Sequence, residues 1–551
     1  MGDRFTSTAL GAFIFIMVIN VRSRDSGFLR EILFANFFGL GIDFDIYLVG
    51  AVFPIVLNTV ILYLGLNYFI PTFNKIKASR NSSPESFFKL ALFIFTVSGI
   101  LLSILLFIFS EVIVQHYLNT NDPLILEKAL SIFRILLITV PLTCAISIIT
   151  AFEQAKYQFK HPALSRLFLN IAMIPILLLF TDQFGIYTIP IGFVLGTLFQ
   201  LLYLIFKSKI RDVTFNFFIA NIGDIGKYFD LTIFSVLLIE IIGQIYVIAD
   251  RYFFGSVNEG GISALNYGLN IFVLPISIIS IALATVIFPK ISENISKGEY
   301  ADLGAKISSA VRANLLIFIP VSFLFFLFGD TIIKILFERG KFTPGDTEIT
   351  FSVLKIYSLS LVFYSIYSIF NKIIYGAKLI NSLLIITLGG ILIKVILNII
   401  LVTEYQQNGL ALSTSISFTF FFITSLVLIQ KKLPVSFSLT LFSELLFHLL
   451  NGFISYLLVS IIFSEVQSSL VLNLLAISVF IIIYYLNINI VGHNAIDLLR
   501  GIYQNFKSVK KICKLLVTID FTGKGVIHAD IGFHSLFQSK HYTPKQSYNS
   551  L

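Results

Sequence analysis

The amino-acid sequence predicts an all-α, polytopic membrane protein with about fourteen transmembrane helices. Two observations carry this prediction. Of the 551 residues, 57% are hydrophobic and only 13% are charged, and the mean hydropathy of +0.91 lies above the range typical of soluble globular proteins. Apolar stretches of about 20 residues also recur along the chain, and each is long enough to cross a hydrocarbon core of about 30 Å.

The predicted spans follow one another with short connections. The first apolar stretch continues into charged residues and a further apolar segment without a small-residue cleavage pattern, which predicts an uncleaved first helix. Spans 1 to 14 are predicted at residues 9–37, 45–70, 87–114, 129–153, 163–181, 184–206, 228–254, 263–289, 308–329, 349–375, 380–402, 408–430, 439–463 and 469–491.

Basic residues are unevenly divided between the two sets of loops. With the N-terminus placed in the cytoplasm, the inner loops contain nineteen Lys and Arg residues and the outer loops contain five. Positive charge is characteristically retained on the cytoplasmic side of a membrane protein. The bias therefore predicts that both termini are cytoplasmic. It also accounts for the net charge of +9 without a nucleic-acid partner.

A short pattern recurs after six spans. Residues Phe109–Ile113 (FSEVI) resemble Phe328–Ile332 (FGDTI) at an offset of 219, and the pair at 155–156 recurs at 377–378 at an offset of 222. Because six spans return the chain to the same side, the two copies would be parallel lobes around a central cavity. The predicted organisation is an N-lobe at residues 1–227, a C-lobe at 228–435, two added helices at 436–492, and an amphipathic segment with a polar tail at 493–551.

Charged residues interrupt the first span. Arg24, Asp25, Arg30 and Glu31 lie between apolar stretches, and a lipid-facing arginine at mid-bilayer costs about 3 kcal/mol or more. Such residues normally line a wet cavity, where the planar guanidinium fits phosphate oxygens two at a time. The alternatives are structural Arg–carboxylate pairs, or arginines that reach the interface from a shifted helix.

Several motifs occur in the order and spacing of a known family. They are Ser23-Arg24 with Gly27-Phe28 and Arg30, Phe38-Gly39, Asp45, Pro54, Pro71, Ser263–Tyr267, Phe288-Pro289 and Leu336–Thr343 (LFERGKFT). Together they resemble the MurJ/MviN lipid II flippase family of the MOP (MATE-like) exporter superfamily, which is related to Wzx-type polysaccharide flippases. The resemblance covers roughly residues 10–490.

The resemblance implies a flippase of the bacterial cytoplasmic membrane. Its substrate would be an undecaprenyl-diphosphate-linked saccharide, a lipid II-like precursor for peptidoglycan, moved from the inner to the outer leaflet by alternating access. Arg24, Arg30 and Asp45 are the implied substrate contacts. Asn58 and Asn270 stand where the family has further arginines. These departures keep an O-antigen or exopolysaccharide repeat unit as an alternative substrate.

A second polar group is predicted in the C-lobe. Glu240 and Asp250 lie in span 7, and Lys394 and Asn398 lie one turn apart in span 11. Members of the resembled family can hold sodium between spans 7, 11 and 12. Here the Lys394 ammonium would take the place of that cation and pair with Glu240 or Asp250, so sodium is disfavoured. An ordinary buried ion pair between the two helices is the alternative.

Other classes of function are disfavoured by the same sequence. No Ser–His–Asp arrangement, phosphate-binding glycine loop or metal-ligand spacing stands out, and all loops are short, so neither an enzyme nor a metal or other cofactor is predicted. A MATE-type cation-coupled drug exporter would require an acidic cavity, whereas span 1 contains arginines. The expected partners are membrane lipids and a lipid-linked saccharide, bound by a monomer.

Overall fold

The computed structural model describes residues 27–78, 83–118, 120, 122–208, 232–280, 294–295, 297–435, 439–463 and 469–490. Arg24, the first part of span 1 and the segment at 493–551 lie outside these residues. All regular elements in the described ranges are helical, as the sequence predicts.

The described residues of the first half form ten α-helices. They are α1 (residues 27–38), α2 (Ile42–Leu64), α3 (Ile70–Ala78), α4 (Pro84–Ile108), α5 (Ser110–Leu118), α6 (Pro123–Leu137), α7 (Thr139–Ala155), α8 (Lys160–Ser165), α9 (Leu167–Phe184) and α10 (Thr188–Ser208). A π-helical turn at Gly65–Phe69 joins α2 to α3. The Gly65 backbone lies against α7 there, since a Cβ on it would lie 2.0 Å from the Ser147 hydroxyl oxygen.

The described residues of the second half include eight longer α-helices. They are α11 (Thr232–Arg251), α12 (Gly261–Pro275), α13 (Tyr300–Phe337), α14 (Pro344–Ser358), α15 (Leu361–Gly376), α16 (Ile380–Lys432), α17 (Leu439–Phe463) and α18 (Leu470–Ile490). Helix α12 continues into a π-helical turn at Ile276–Ser280. Helix α14 begins with a capping box, in which the Thr343 side chain and Asp346 satisfy each other's backbone N–H groups.

Nine helical stretches in the described residues are long and apolar enough to cross a membrane, and α14 with α15 forms a tenth, bent by 53°. Two of the nine contain 49 and 53 residues, more than twice the length that one crossing requires. Each turns back on itself at a residue with positive φ, Gly185 or Gln406. If each of these two long stretches is counted as two crossings, and if α1 and α11 are added, the described residues contain one helix for each of the fourteen predicted spans.

The repeated sequence pattern coincides with repeated breaks in the helices. Phe109 ends α4 with φ −92° and ψ 7°, and Phe328 interrupts α13 with φ −123° and ψ 19°. Positive φ values then occur at Tyr157 and Lys378, 221 residues apart. These matching local conformations support the predicted six-span repeat.

Helices of each half pack mainly on one another. The halves meet where α2 lies against α11 and α12. The added helices α17 and α18 pack on α13, where Arg312 pairs with Glu444 at 3.0 Å and the Asn473 amide donates to the Thr331 hydroxyl at 2.9 Å.

The halves are joined most closely at one end of the molecule, which we call the Gly39 end. It comprises the turns at residues 39–41, 252–260 and 338–343. The backbone N–H of Lys341 donates to the Asn36 carbonyl at 2.9 Å. Gly340 has a φ of +59°, and a Cβ there would lie 2.3 Å from the same carbonyl oxygen. Glycine is therefore required in this part of the LFERGKFT motif.

Candidate functional site

Arg30 on α1 is the centre of a polar group between the two halves. One terminal nitrogen lies 2.8 Å from a Glu31 carboxylate oxygen, and the other donates to the Asn170 side-chain oxygen at 3.3 Å. The guanidinium carbon lies 5.5 Å from the ring centres of both Phe34 and Phe193, a cation–π geometry. The Nε donor is buried and has no partner in the described part of the chain. Arg30 thus retains an unused hydrogen-bond donor.

Glu31 extends this group across to α12. Its second carboxylate oxygen accepts hydrogen bonds from the side-chain amides of Asn266 at 3.3 Å and Asn270 at 3.2 Å. The side chains of Arg30 and Glu31 are 19% and 13% exposed, so both are partly accessible. The structure therefore brings together two residues predicted from the sequence, Arg30 and Asn270, through a carboxylate between them.

Arg251 fixes the orientation of Asn266 from the end of α11. It donates to the Ile262 carbonyl at 3.1 Å and to the Asn266 side-chain oxygen at 3.2 Å. That contact directs the amide nitrogen of Asn266 towards Glu31. The sequence indicates Arg251 only as one of the five basic residues of the outer loops, so this role does not follow from it. Its position next to Asp250, within a span that contains few charges, was the available signal.

Asp45 lies at the Gly39 end and not in the Arg30 group. Its carboxylate accepts hydrogen bonds from the backbone of Gly260 at 2.8 Å, the backbone of Ser263 at 2.6 Å and the Ser263 hydroxyl at 2.5 Å. The side chain is 1% exposed. Asp45 thus caps the first turn of α12, because Gly260, the residue that precedes this helix, has no side chain that could cap it.

Asn58 lies on α2 beside a cavity of about 180 Å³ within the first half. Its amide nitrogen donates to the Thr139 hydroxyl at 2.6 Å. Phe193, which stacks with Arg30, lines the same cavity. No hydrogen bond joins Asn58 to Asn270 in the described residues, so these two predicted contacts belong to different places.

The predicted C-lobe group is present around Asp250. The Lys394 ammonium lies 2.8 Å from one carboxylate oxygen, and the Asn398 amide donates to the other at 3.1 Å. Ser413 donates to the Asn398 side-chain oxygen, and the Tyr246 ring centre lies 3.7 Å from the ammonium nitrogen. The prediction that Lys394 reaches Glu240 or Asp250 is confirmed for Asp250. With an ammonium already beside the carboxylate, these residues do not fit a sodium ion.

Glu240 has a different partner. The Asn67 side-chain amide donates to its carboxylate at 2.7 Å, which joins the π-helical turn after α2 to α11. Of the four residues predicted as an ion or coupling site, Asp250, Lys394 and Asn398 are therefore together and Glu240 is apart.

The two polar groups are connected through neighbouring residues of α11. Asp250 contacts Lys394, and the adjacent Arg251 contacts Asn266, which in turn donates to Glu31. A chain of polar contacts thus runs from the buried ion pair of the second half to Arg30 of the first, with the backbone between Asp250 and Arg251 as one of its links.

A polytopic helical bundle with a partly buried, arginine-centred polar group between its halves is typical of a membrane transporter. Comparison with known proteins specifies the family. The family model described as "Lipid II flippase MurJ" matches residues 34–485. The chain belongs to the MurJ lipid II flippase family.

Relatives from several bacteria share most of this chain. A "Probable lipid II flippase MurJ" of Borreliella burgdorferi is 30% identical over 459 residues, which are 80% of this chain and 87% of the relative. One from Buchnera aphidicola subsp. Acyrthosiphon pisum is 29% identical and covers 77% and 84%. The "Lipid II flippase MurJ" of Thermosipho africanus is 27% identical and covers 72% and 80%.

Solved structures show the same fold. "Lipid II flippase MurJ, inward closed conformation" superposes with a TM-score of 0.75 at 24% identity, covering 88% of this chain and all of that one. An inward-facing MATE transporter of the MOP superfamily gives a TM-score of 0.61 at 15% identity and covers 74% and 94%. The chain therefore has the MurJ fold. As a member of the MurJ family it is a multi-pass membrane protein and a transporter rather than an enzyme.

Proposed function

We propose that this protein is a lipid II flippase, which translocates the undecaprenyl-diphosphate-linked precursor of peptidoglycan across the cytoplasmic membrane. The observation that carries the proposal is Arg30, a guanidinium whose side chain is 19% exposed beside the boundary between the halves. A diphosphate supplies several acceptor oxygens that match the planar array of guanidinium donors.

Glu31 gives the site a way to couple binding to movement. In the described state its carboxylate is the anion that joins Arg30 to Asn266 and Asn270. A diphosphate bound to Arg30 competes with this carboxylate, because both present negative oxygens to the same donors. Substrate binding would then loosen the Glu31 bridge between α1 and α12, which biases the two halves towards a different arrangement.

We infer from the loop-charge bias that the Gly39 end faces the outer side of the membrane and that both termini are cytoplasmic. The hydrogen bonds of Asp45 with Gly260 and Ser263 would then close the outer side, and alternating access would require that they break. Asp45 would act by holding this gate, not by contacting the head group. We expect a monomer, since the proposed site needs residues of one chain only.

The role of Arg24 in head-group binding remains a proposal from the family motif. The alternative substrate, an exopolysaccharide or O-antigen repeat unit on the same carrier, is favoured by one observation. Asn58 and Asn270 have side-chain amides at positions where the family has arginines, and amides can hydrogen-bond sugar hydroxyls. The relatives named above favour lipid II over this alternative.

Arg30 variants in proteoliposomes test the proposal. We expect Arg30→Ala to abolish lipid II translocation and Arg30→Lys to restore only part of it, because an ammonium keeps the charge but not the planar array of donors. Arg134→Ala is the matched control. Arg134 is also a membrane-embedded arginine, but it bonds Ser110 at 2.9 Å and stacks on Phe107 away from the site.

A second arm of the assay separates the two substrates. Vesicles are loaded either with lipid II or with undecaprenyl diphosphate that carries a different oligosaccharide. Translocation of lipid II at the higher rate supports the proposal, and preference for the other lipid supports the alternative. Full lipid II translocation by a stably inserted Arg30→Ala protein would contradict an arginine-centred head-group site.

A further inference from the structure

Helix α2 is attached to the second half of the chain at both of its ends. At the Gly39 end, Asp45 caps α12. At the opposite end, which we call the Asn67 end, the side-chain amide of Asn67 donates to the Glu240 carboxylate of α11 at 2.7 Å. The two attachments are separated by the length of α2, about 35 Å for its 23 residues. A transporter that opens on alternate sides must therefore break them at different times.

Asn67 is held in place by the first half. It lies in the π-helical turn after α2, and such turns occur frequently at functional sites. The Ser147 hydroxyl of α7 donates to the Ile61 carbonyl just before this turn at 2.7 Å. The two residues that follow Asn67, Tyr68 and Phe69, are buried, whereas Asn67 itself is exposed. Because the turn is fixed to α7, a displacement of α11 from the first half must break the bond between Asn67 and Glu240.

Glu240 has no cationic partner among the described residues, where the neutral Asn67 amide is its hydrogen-bond donor. The charged residues of α2 lie at the Gly39 end, and the π-helical turn contains none. Helix α16 has no charged residue before Lys394, which pairs with Asp250. Tyr375 of α15 interacts electrostatically with Glu240, and a tyrosine is neutral at physiological pH. The carboxylate is therefore free to accept a proton, and ionisable residues within a membrane characteristically mark proton or ion pathways.

The strength of the bond between Asn67 and Glu240 depends on the charge of the carboxyl group. When Glu240 is ionised, the Asn67 amide donates to a negative oxygen, and such charge-assisted hydrogen bonds are about twice as strong as neutral ones. When Glu240 is protonated, the same amide meets a neutral oxygen and the bond weakens. Both side chains are at least partly exposed, so a proton can reach the carboxylate from water. Proton binding thus favours the separation of α11 from the π-helical turn.

We propose that Glu240 is a proton-binding site of the transport cycle. In its ionised form it attaches α11 to the π-helical turn and closes the Asn67 end, and protonation releases this attachment. The step transfers one proton from water to the carboxylate and breaks no covalent bond of the chain. The proposal does not depend on which lipid is carried, because it concerns only the contact between the two halves.

Distances between spin labels at the Asn67 end test the proposal. The labels replace Asn74 on α3 and Ile380 at the start of α16, which are both exposed, in full-length protein without its two native cysteines. The protein is measured in nanodiscs without a lipid-linked saccharide, between about pH 8 and pH 5, an interval in which poorly solvated carboxyl groups titrate. We expect acidification to raise the ratio of long-distance to short-distance populations roughly five- to tenfold, because a charge-assisted hydrogen bond becomes a neutral one.

Two variants change the attachment from opposite sides. Glu240→Gln imitates the protonated carboxyl group, so it should show the larger long-distance population at both pH values. Asn67→Leu removes the donor and should have the same effect, which keeps the test decisive if one variant fails to fold. Glu259→Gln is the matched control. Glu259 also joins the halves through a carboxylate, which accepts from the Ile42 backbone N–H at 3.1 Å, but it lies at the Gly39 end. This control should retain the wild-type response to pH.

Two outcomes would overturn the proposal. One is a wild-type distance distribution that is the same at both pH values. The other is a full pH response in Glu240→Gln, which would assign proton binding to another group. The labels report the separation of the halves without any transported lipid. A protein that fails to translocate lipid II would therefore contradict the proposed function and leave the result at Glu240 unaffected.

Discussion

Asp45 on α2 accepts two hydrogen bonds from Ser263 on α12, one from the backbone N–H at 2.6 Å and one from the hydroxyl at 2.5 Å. A carboxylate of one half thus caps a helix of the other half. The cap is favourable because the first N–H groups of a helix have no partner within it and attract negative charge. It also depends on the halves staying together at the Gly39 end.

Removal of this cap should therefore open the Gly39 end. We expect Asp45→Ala to lose about 0.5–2 kcal/mol of stabilisation, which shifts the population of the open arrangement several-fold. Spin labels at Leu124 and Asn258, both exposed near this end, would report longer distances by electron resonance. Ser263→Ala removes only the hydroxyl contact and should produce a smaller shift. An unchanged distance distribution in Asp45→Ala would show that the cap does not hold the gate.

Gly65 and Gly243 offer a matched pair of helical glycines. A Cβ on Gly65 would lie 2.0 Å from the Ser147 hydroxyl oxygen, whereas nothing lies within 4 Å of one on Gly243. We expect Gly65→Ala to destabilise the protein by about 1–3 kcal/mol through overpacking. Gly243→Ala should stabilise it by up to about 1 kcal/mol, because alanine favours the helix. Thermal unfolding in detergent measures both, and a loss of stability in both variants would contradict the open space around Gly243.

Arg251 and Asn266 should act as a unit. Arg251→Lys removes the forked contact with the Ile262 carbonyl and the Asn266 side chain, so Asn266 is no longer directed towards Glu31. We expect lipid II translocation to fall in Arg251→Lys and in Asn266→Ala, and the double variant to be no slower than the worse single one. Contacting residues typically couple by about 0.5–3 kcal/mol. Additive effects on the rate would mean that the two residues contribute separately.

The sequence predicted the helices well because a membrane span needs a long apolar stretch whatever it packs against. It predicted the contact between Lys394 and Asp250 for a related reason, since charges are few in these spans and each requires a partner. The cap by Asp45, the contact of Asn67 with Glu240 and the role of Arg251 were not predictable. They join residues of different helices, up to 218 positions apart, and no periodicity in the chain encodes which helix faces meet.

The buried pair of Lys394 and Asp250 gives the strongest test of the C-lobe group. Their side chains are 2% and 14% exposed, and removal of one partner of a buried pair leaves the other charge uncompensated at a cost of about 3–5 kcal/mol. We expect Lys394→Met to lower the unfolding temperature strongly, and Lys394→Met combined with Asp250→Asn to recover most of the loss. Lys306→Met is the control, because Lys306 pairs with Asp302 at 2.5 Å but both are much more exposed, and such pairs contribute about 0–1 kcal/mol. If the double variant is as unstable as Lys394→Met alone, the Lys394 ammonium does not stabilise the protein by compensating the charge of Asp250. If the double variant is stable but no longer translocates lipid II, the pair serves the transport cycle through Arg251 and Asn266 as well as the fold.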